Sequence, residues 1–185
     1  MRALAAVTCE VGPGRLTVAL VTSRGKMARN TFYELFENSD DAFRRTLGFA
    51  SDKLRAAIDV AVDHEGSWAE RIGRVIQALL GAAAEEPDLA ALSLLHYGGT
   101  PGAKSPFDPV VVDTLAGVLR PGRKEVPALL PGPRTEELIA YAILGVIAER
   151  LRRGDPEALA PLATELTELA LRPFLGEPVG HRDGR

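Results

Sequence analysis

Apolar side chains recur along this chain at spacings of three and four, the mark of helices that bury one face. No stretch alternates apolar and polar positions as a half-buried strand would. The pattern therefore predicts an all-α protein of about nine helices. The first covers residues 2–11, with Leu4, Val7 and Thr8 inward, and Gly12-Pro13-Gly14 ends it. Two short helices follow within residues 17–36, joined at Arg24-Gly25-Lys26. Thr17 caps the first of them, and Val18, Val21, Thr22 and Gly25 form its narrow inner face. Gly25 is expected to take a backbone conformation closed to other residues. Met27 plugs the angle, and Phe32, Leu35 and Phe36 line the inner side of the second helix. A long fourth helix is predicted over 39–63, capped by Ser39, with Ala42, Phe43, Leu47, Ala50, Leu54, Ala57, Ile58 and Ala61 inward. Further helices are predicted at 68–84, 89–96, 110–119, 134–153 and 155–171. Breaks at Gly66-Ser67 and Pro87-Asp88, a Gly/Pro-rich loop over 98–109 and a proline-rich connector over 121–133 separate them. Thr135 with Glu136 and Glu137 opens the eighth helix, and Arg150, Arg152 and Arg153 close it, matching the helix dipole at both ends. Asp155-Pro156 opens the ninth.

The outward side of the third helix is chemically specific. At about 100° per residue, Arg29, Asn30 and Tyr33 fall opposite Phe32 and Phe36. An arginine can grip a phosphate or fork onto a guanine edge, and an asparagine can pair with adenine. A tyrosine hydroxyl can reach a phosphate oxygen. A short helix braced at a steep angle on another, with such a tip, has the layout of a helix-turn-helix. The same spacing also fits two amphipathic core helices with solvated polar faces.

Charge sharpens this picture. Arg2, Arg15, Arg24, Lys26 and Arg29 stand against Glu10 and Glu34 in residues 1–36, a net of +3. The rest of a chain whose total is −3 therefore carries −6. A small basic head on an acidic body fits a protein that touches DNA at one end. Apolar residues at 46% allow a real core, and aromatics at 5% leave it to Leu, Ala, Val and Ile. The lone Cys9 excludes an internal disulfide framework and a multi-cysteine metal site, and a reducing cytoplasm is the expected setting. His64, His96 and His181 lack metal-ligand spacing, and nothing implies a cofactor. The opening MRALAAVTCEVG has no export-signal pattern, and the apolar run over 138–148 falls far short of the about 20 residues that span a bilayer.

The stretch TVALVTSRGKMARNTFYELF resembles the helix-turn-helix of TetR/AcrR-type transcriptional regulators, whose usual form is close to T-V-x-x-V-A-x-x-A-G-V-S-R-x-T-F-Y-x-x-F. Thr17, Val18, Val21, Arg29, Thr31, Phe32, Tyr33 and Phe36 match in register. The following ENSDDAF resembles the segment that opens the family's fourth helix. The resemblance implies a three-helix DNA-binding head over residues 1–45 and an effector-binding and dimerisation domain over 46–185. It places Thr17, Lys26, Ala28, Arg29, Asn30, Thr31 and Tyr33 at the DNA. It also implies a dimeric repressor on a palindromic operator, answering to a small effector. The chain departs from the family at three points. The turn glycine comes one place early, at Gly25. Ala28 replaces the serine that starts the recognition helix. Ser39 stands where a basic residue often touches the DNA backbone. The family's basic arm before the first helix is not matched by residues of this sequence, which fits either a true start further upstream or loss of the arm.

In the body, the eighth helix carries more apolar positions than one stripe needs, Ile139, Ala142, Ile143 and Val146 among them. Leu162, Leu166 and Leu169 give the ninth its own stripe. Two such helices meeting their symmetry mates form a four-helix interface, and the resemblance agrees, because these regulators dimerise through their last two helices. Burial of both faces within one subunit is the alternative. An effector pocket is expected among helices 4 to 7, with Trp68, Ile72, Tyr97 and Phe107 as walls and His64 or His96 as polar groups. Such a pocket suits an apolar or amphipathic small molecule. No nucleophile–base pair, phosphate loop or carboxylate cluster argues for an enzyme. The competing reading is a helical ligand- or partner-binding dimer that has lost specific DNA binding.

Overall fold

The computed structural model describes residues 1–63, 65–100, 102–124 and 132–175. Among them lie nine α-helices and no strand. The helices are α1 (Arg2–Val11), α2 (Val18–Gly25), α3 (Arg29–Leu35), α4 (Ser39–Val62), α5 (Trp68–Glu85), α6 (Pro87–His96), α7 (Pro109–Leu119), α8 (Thr135–Arg152) and α9 (Ala163–Leu175).

The first three helices and the start of α4 close around Leu4, Val7, Leu16, Val21, Phe32, Phe36 and Ala42. Phe32 is completely buried, and burying one side chain of this kind is worth about 1.5–3 kcal/mol. Leu35, expected inside, is 52% exposed. In a helix of only seven residues, positions 32 and 36 already occupy the inward line, and 35 falls beside it.

α1 buries far more than one stripe, since Leu4, Ala5, Ala6, Val7 and Thr8 are all buried. The cause is its position between the head and α6. Ala5 joins Leu47, Ala50, Leu89 and Leu92 in a second small cluster at this seam. The Thr8 hydroxyl donates to Leu4 O (2.9 Å), which lets a polar residue sit there. Nearby, the buried hydroxyls of Ser51 on α4 and Ser93 on α6 meet at 3.0 Å. At the surface of the seam, Glu86 binds both Arg2 Nε (2.8 Å) and Lys53 Nζ (2.7 Å).

The main core joins α4 to α9 through residues such as Ile58, Val75, Leu79, Leu115, Ile143, Ile147 and Phe174. Local signals set the helix starts. Asn38, not Ser39, caps α4, its Oδ1 accepting from Asp41 N–H (2.9 Å). Ser67 and Glu70 form a reciprocal capping box on α5. Pro87 and Pro109 occupy first-turn positions of α6 and α7, where a missing N–H costs nothing. Thr135 is the first helical residue of α8 and caps nothing. Glu136 in the same turn is buried, paired with Arg123 through Arg123 Nη2 at 2.7 Å. The segment after Asp155 makes two short 3-10 turns, Pro156–Ala158 and Ala160–Leu162, before α9 begins. Among the described residues, no helix is long and apolar enough to cross a membrane.

Candidate nucleic-acid interface

The angle between α2 and α3 is set by a turn whose roles differ from those expected. Gly25 is the last residue of α2, and Lys26 takes the left-handed conformation (φ 49°, ψ 43°). Lys26 N–H donates to Ser23 O (3.3 Å) and Met27 N–H to Thr22 O (3.0 Å), closing the helix end. The space beside the glycine is filled by Met27, since a Cβ there would lie 2.9 Å from Met27 Cε and 3.4 Å from Ala3 Cβ and would make the end of the methionine side chain shift. Lys26 thus carries a backbone cost of about 1–2 kcal/mol that a glycine would avoid.

Thr17 caps α2, its Oγ1 accepting from Leu20 N–H (3.3 Å). Ala28 stands at the N-cap of α3 with no side chain to offer. Thr17, Lys26, Ala28, Arg29, Asn30, Thr31 and Tyr33 are all exposed; Thr17 stands at the start of α2, and the other six lie at the α2–α3 turn and along α3. Tyr33 is 57% exposed, its ring edge-on to Phe32 with centroids 5.5 Å apart. Neither Lys26 nor Arg29 has an ion-pair partner among the described residues, whereas Arg24 is held by Glu10 at 2.9 Å. Lys26, Arg29, Asn30, Thr31 and Tyr33 therefore form a polar, cation-bearing surface mounted on a buried phenylalanine pair.

Arg45 also serves this surface. Its Nη1 donates to Leu35 O (2.6 Å), and its guanidinium lies 5.5 Å from the Phe36 ring centroid. A cation on the last carbonyls of α3 favours the helix end and ties α3 to α4. Nothing in local spacing points to a residue ten positions away. The exposed Glu37 and Asp40 flank the start of α4, where a phosphate would meet repulsion.

No family model and no curated protein matches the sequence. Solved structures do match in shape. A TetR-family regulatory protein from Rhodococcus RHA1 superposes with a TM-score of 0.70 at 16% identity, covering 93% of each chain. The TetR-family regulator PfmR from Thermus thermophilus gives 0.68 at 17%, covering 92% of this chain and 96% of that one. The fold is that of the TetR-family regulators. A third structure with this fold, the transcriptional regulator FadR from Bacillus subtilis in complex with stearoyl-CoA, gives 0.63 at 18%, covering 91% and 94%.

Within the TetR-like body, the expected pocket residues do not converge. His64 lies outside the described residues. Ile72, 2% exposed, belongs to the core. Trp68 is a clasp and not a pocket wall: its indole N–H donates to Val118 O (3.1 Å), and its ring meets Phe174 edge-on with centroids 5.3 Å apart. Phe107 is buried against Tyr141, whose hydroxyl meets that of Ser105 at 3.0 Å. Tyr97 packs at the seam between head and body. His96, its pKa lowered by burial, lines a cleft of about 600 Å³ with Cys9, Asp88 and Arg152 at the junction of α1, α6 and the end of α8. Burial, then the charges of Asp88 and Glu10, push the Cys9 thiol up to about 11, so little thiolate is present at neutral pH. A separate cleft of about 430 Å³ opens between α4, α5 and α7, lined by Asp59, Val62, Asp63, Arg71, Thr114, Gly117, Val118 and Pro121.

The outer face of the TetR-like body also differs in detail from expectation. Ile139, Ile143 and Leu166 are buried in the protomer's own core and cannot face a partner. α8 is held by α6 and α7 along those positions, which turns a different line outward. Ala142 and Leu169 are exposed and Val146 and Leu162 are half-buried. Leu138 (65% exposed), one turn before Ala142, extends this outer apolar stripe.

Proposed function

We propose that this protein is a ligand-responsive DNA-binding transcriptional regulator, acting as a homodimeric repressor on a palindromic operator in the cytoplasm. The observation that carries the reading is the exposed set Lys26, Arg29, Asn30, Thr31 and Tyr33 on the short α3 and the turn before it. These are phosphate- and base-reading groups on an element that fits a major groove. The outer stripe of Leu138, Ala142, Val146, Leu162 and Leu169 supports pairing through α8 and α9. In a dimer, two recognition helices must match major grooves about 34 Å apart. α4 runs from the head into the body, and α6 packs on α1, so a ligand that shifts either helix alters that spacing. A neighbour in shape binds stearoyl-CoA, which makes amphipathic acyl compounds the first effectors to test.

The uncapped Ala28, the strained Lys26 and the acids Glu37 and Asp40 favour a second reading, a helical dimer that binds ligand but not specific DNA. Anisotropy titration with duplex from upstream of the gene, at several salt concentrations, separates the two. Arg29→Ala and Tyr33→Phe are each expected to weaken specific binding by about 1–3 kcal/mol while leaving helical content unchanged. Equal affinity for upstream and random duplex supports the second reading.

A further inference from the structure

The cleft between α4, α5 and α7 contains a cation that the described residues do not answer. Arg71 lies in the first turns of α5 and lines this cleft, with its Nε buried and without an acceptor among them. A buried donor in this state has given up its hydration for nothing in return. Two carboxylates share the cleft, yet neither comes within ion-pair distance of Arg71. Asp59 is taken by Arg55 (3.0 Å), and Asp63 lies at the C-cap of α4. Arg74, one turn further on, likewise has a buried Nε but donates from Nη2 to Glu65 O (3.1 Å). Val62, Val118 and Pro121 supply apolar wall. The Thr114 hydroxyl donates to Val110 O (2.7 Å), which leaves its oxygen free to accept.

We propose that Arg71 anchors the carboxylate of a monoanionic amphipathic ligand whose apolar body lies on Val62, Val118 and Pro121. The guanidinium fork matches a carboxylate, and because Asp59 and Asp63 line the same cleft and oppose negative charge, Arg71 can offset them for one carboxylate but not for a more highly charged anion. The cleft's volume of about 430 Å³ falls within the range of small-molecule sites. This inference rests on the ligand-responsive reading and names the class of ligand.

The test is calorimetric titration of the full chain, without DNA, with decanoate, decanol and decylamine below their aggregation limits. Decanoate is expected to bind about tenfold or more tighter than decanol, with decylamine weakest. Arg71→Gln should bring decanoate to the level of decanol, and Arg71→Lys should keep part of the preference. Equal binding of decanoate and decanol overturns the proposal, as does a preference that survives in Arg71→Gln or failure of all three to bind. The wild-type ligand series decides the matter even if a variant fails to fold. Failure of the DNA-binding reading would show separately, as absent duplex binding with the carboxylate preference intact.

Discussion

Gly122→Ala is a severe test of the clasp around Trp68. A Cβ at residue 122 would overlap Trp68 Cζ2 and Cη2 and lie 3.0 Å from Phe174 Cδ1. Trp68 cannot retreat at no cost, because its indole N–H is committed to Val118 O and its ring to Phe174. Overpacking of a tight core costs about 1–3 kcal/mol. If the ring is expelled, a hydrogen bond of about 0.5–1.5 kcal/mol and an aromatic contact of similar size go with it. The expected loss is about 2–4 kcal/mol, a fall in Tm of about 5–15 °C for a chain of this length. Trp68 is the single tryptophan of the chain, so its emission reports the clasp directly. Urea denaturation followed by fluorescence should show a lower midpoint and a red-shifted native baseline. Trp68→Phe in the same chain makes room, so the double variant should be less destabilised than the two changes added together. A Gly122→Ala protein within about 0.5 kcal/mol of wild type, with unchanged emission, would refute the close packing argued here.

Lys26→Gly should stabilise the chain by about 0.5–1 kcal/mol, the left-handed strain relieved less the extra freedom of glycine when unfolded, measurable by chemical denaturation. The same change removes a cation from the α2–α3 turn and should weaken duplex binding. Hydrogen bonds from Arg2 and then Lys53 lower the Glu86 pKa to about 2. Its contribution to stability is therefore complete above the ordinary carboxylate range and is lost as pH falls toward about 2. The stability gap between wild type and Glu86→Gln should accordingly close between pH about 5 and about 2, and about 0.5 M salt should narrow it at neutral pH. Leu138→Glu and Leu169→Glu should convert a dimer to folded monomers by light scattering, whereas Ile143→Glu should unfold the protomer; persistent dimers in both surface variants would place the partner face elsewhere.

Reading the chain as helices succeeds where the cause is local. Thr17 caps α2 because a hydroxyl three residues before a free N–H needs no tertiary help. Arg29, Asn30 and Tyr33 face outward because Phe32 and Phe36 must face in. Distant atoms decide the rest. Gly25 reads as a turn residue until Met27 Cε is seen against it. Glu136 reads as a first-turn charge until Arg123 buries it. α8 is apolar on most sides, so its spacing does not tell the core line through Ile139 and Ile143 from the outer line through Leu138 and Ala142. Asn38 and Ser39 are both competent caps, and only the observed backbone selects between them. Trp68 reads as a pocket wall because an aromatic near a helix start carries no mark of its distant partners, Val118 and Phe174.

The double burial of α1 has a consequence for cooperativity. Its inner side completes the head around Leu4 and Val7, while Ala5 is covered by residues of α4 and α6 more than forty positions away. A fragment cut at residue 45 would keep the first set of contacts and strip Leu47, Ala50, Leu89 and Leu92 from the second. The excised head is therefore expected to lose part of its packing. The whole chain should melt in one transition, with amide exchange in α1 as slow as in α6, and the excised head should show little fixed structure on its own.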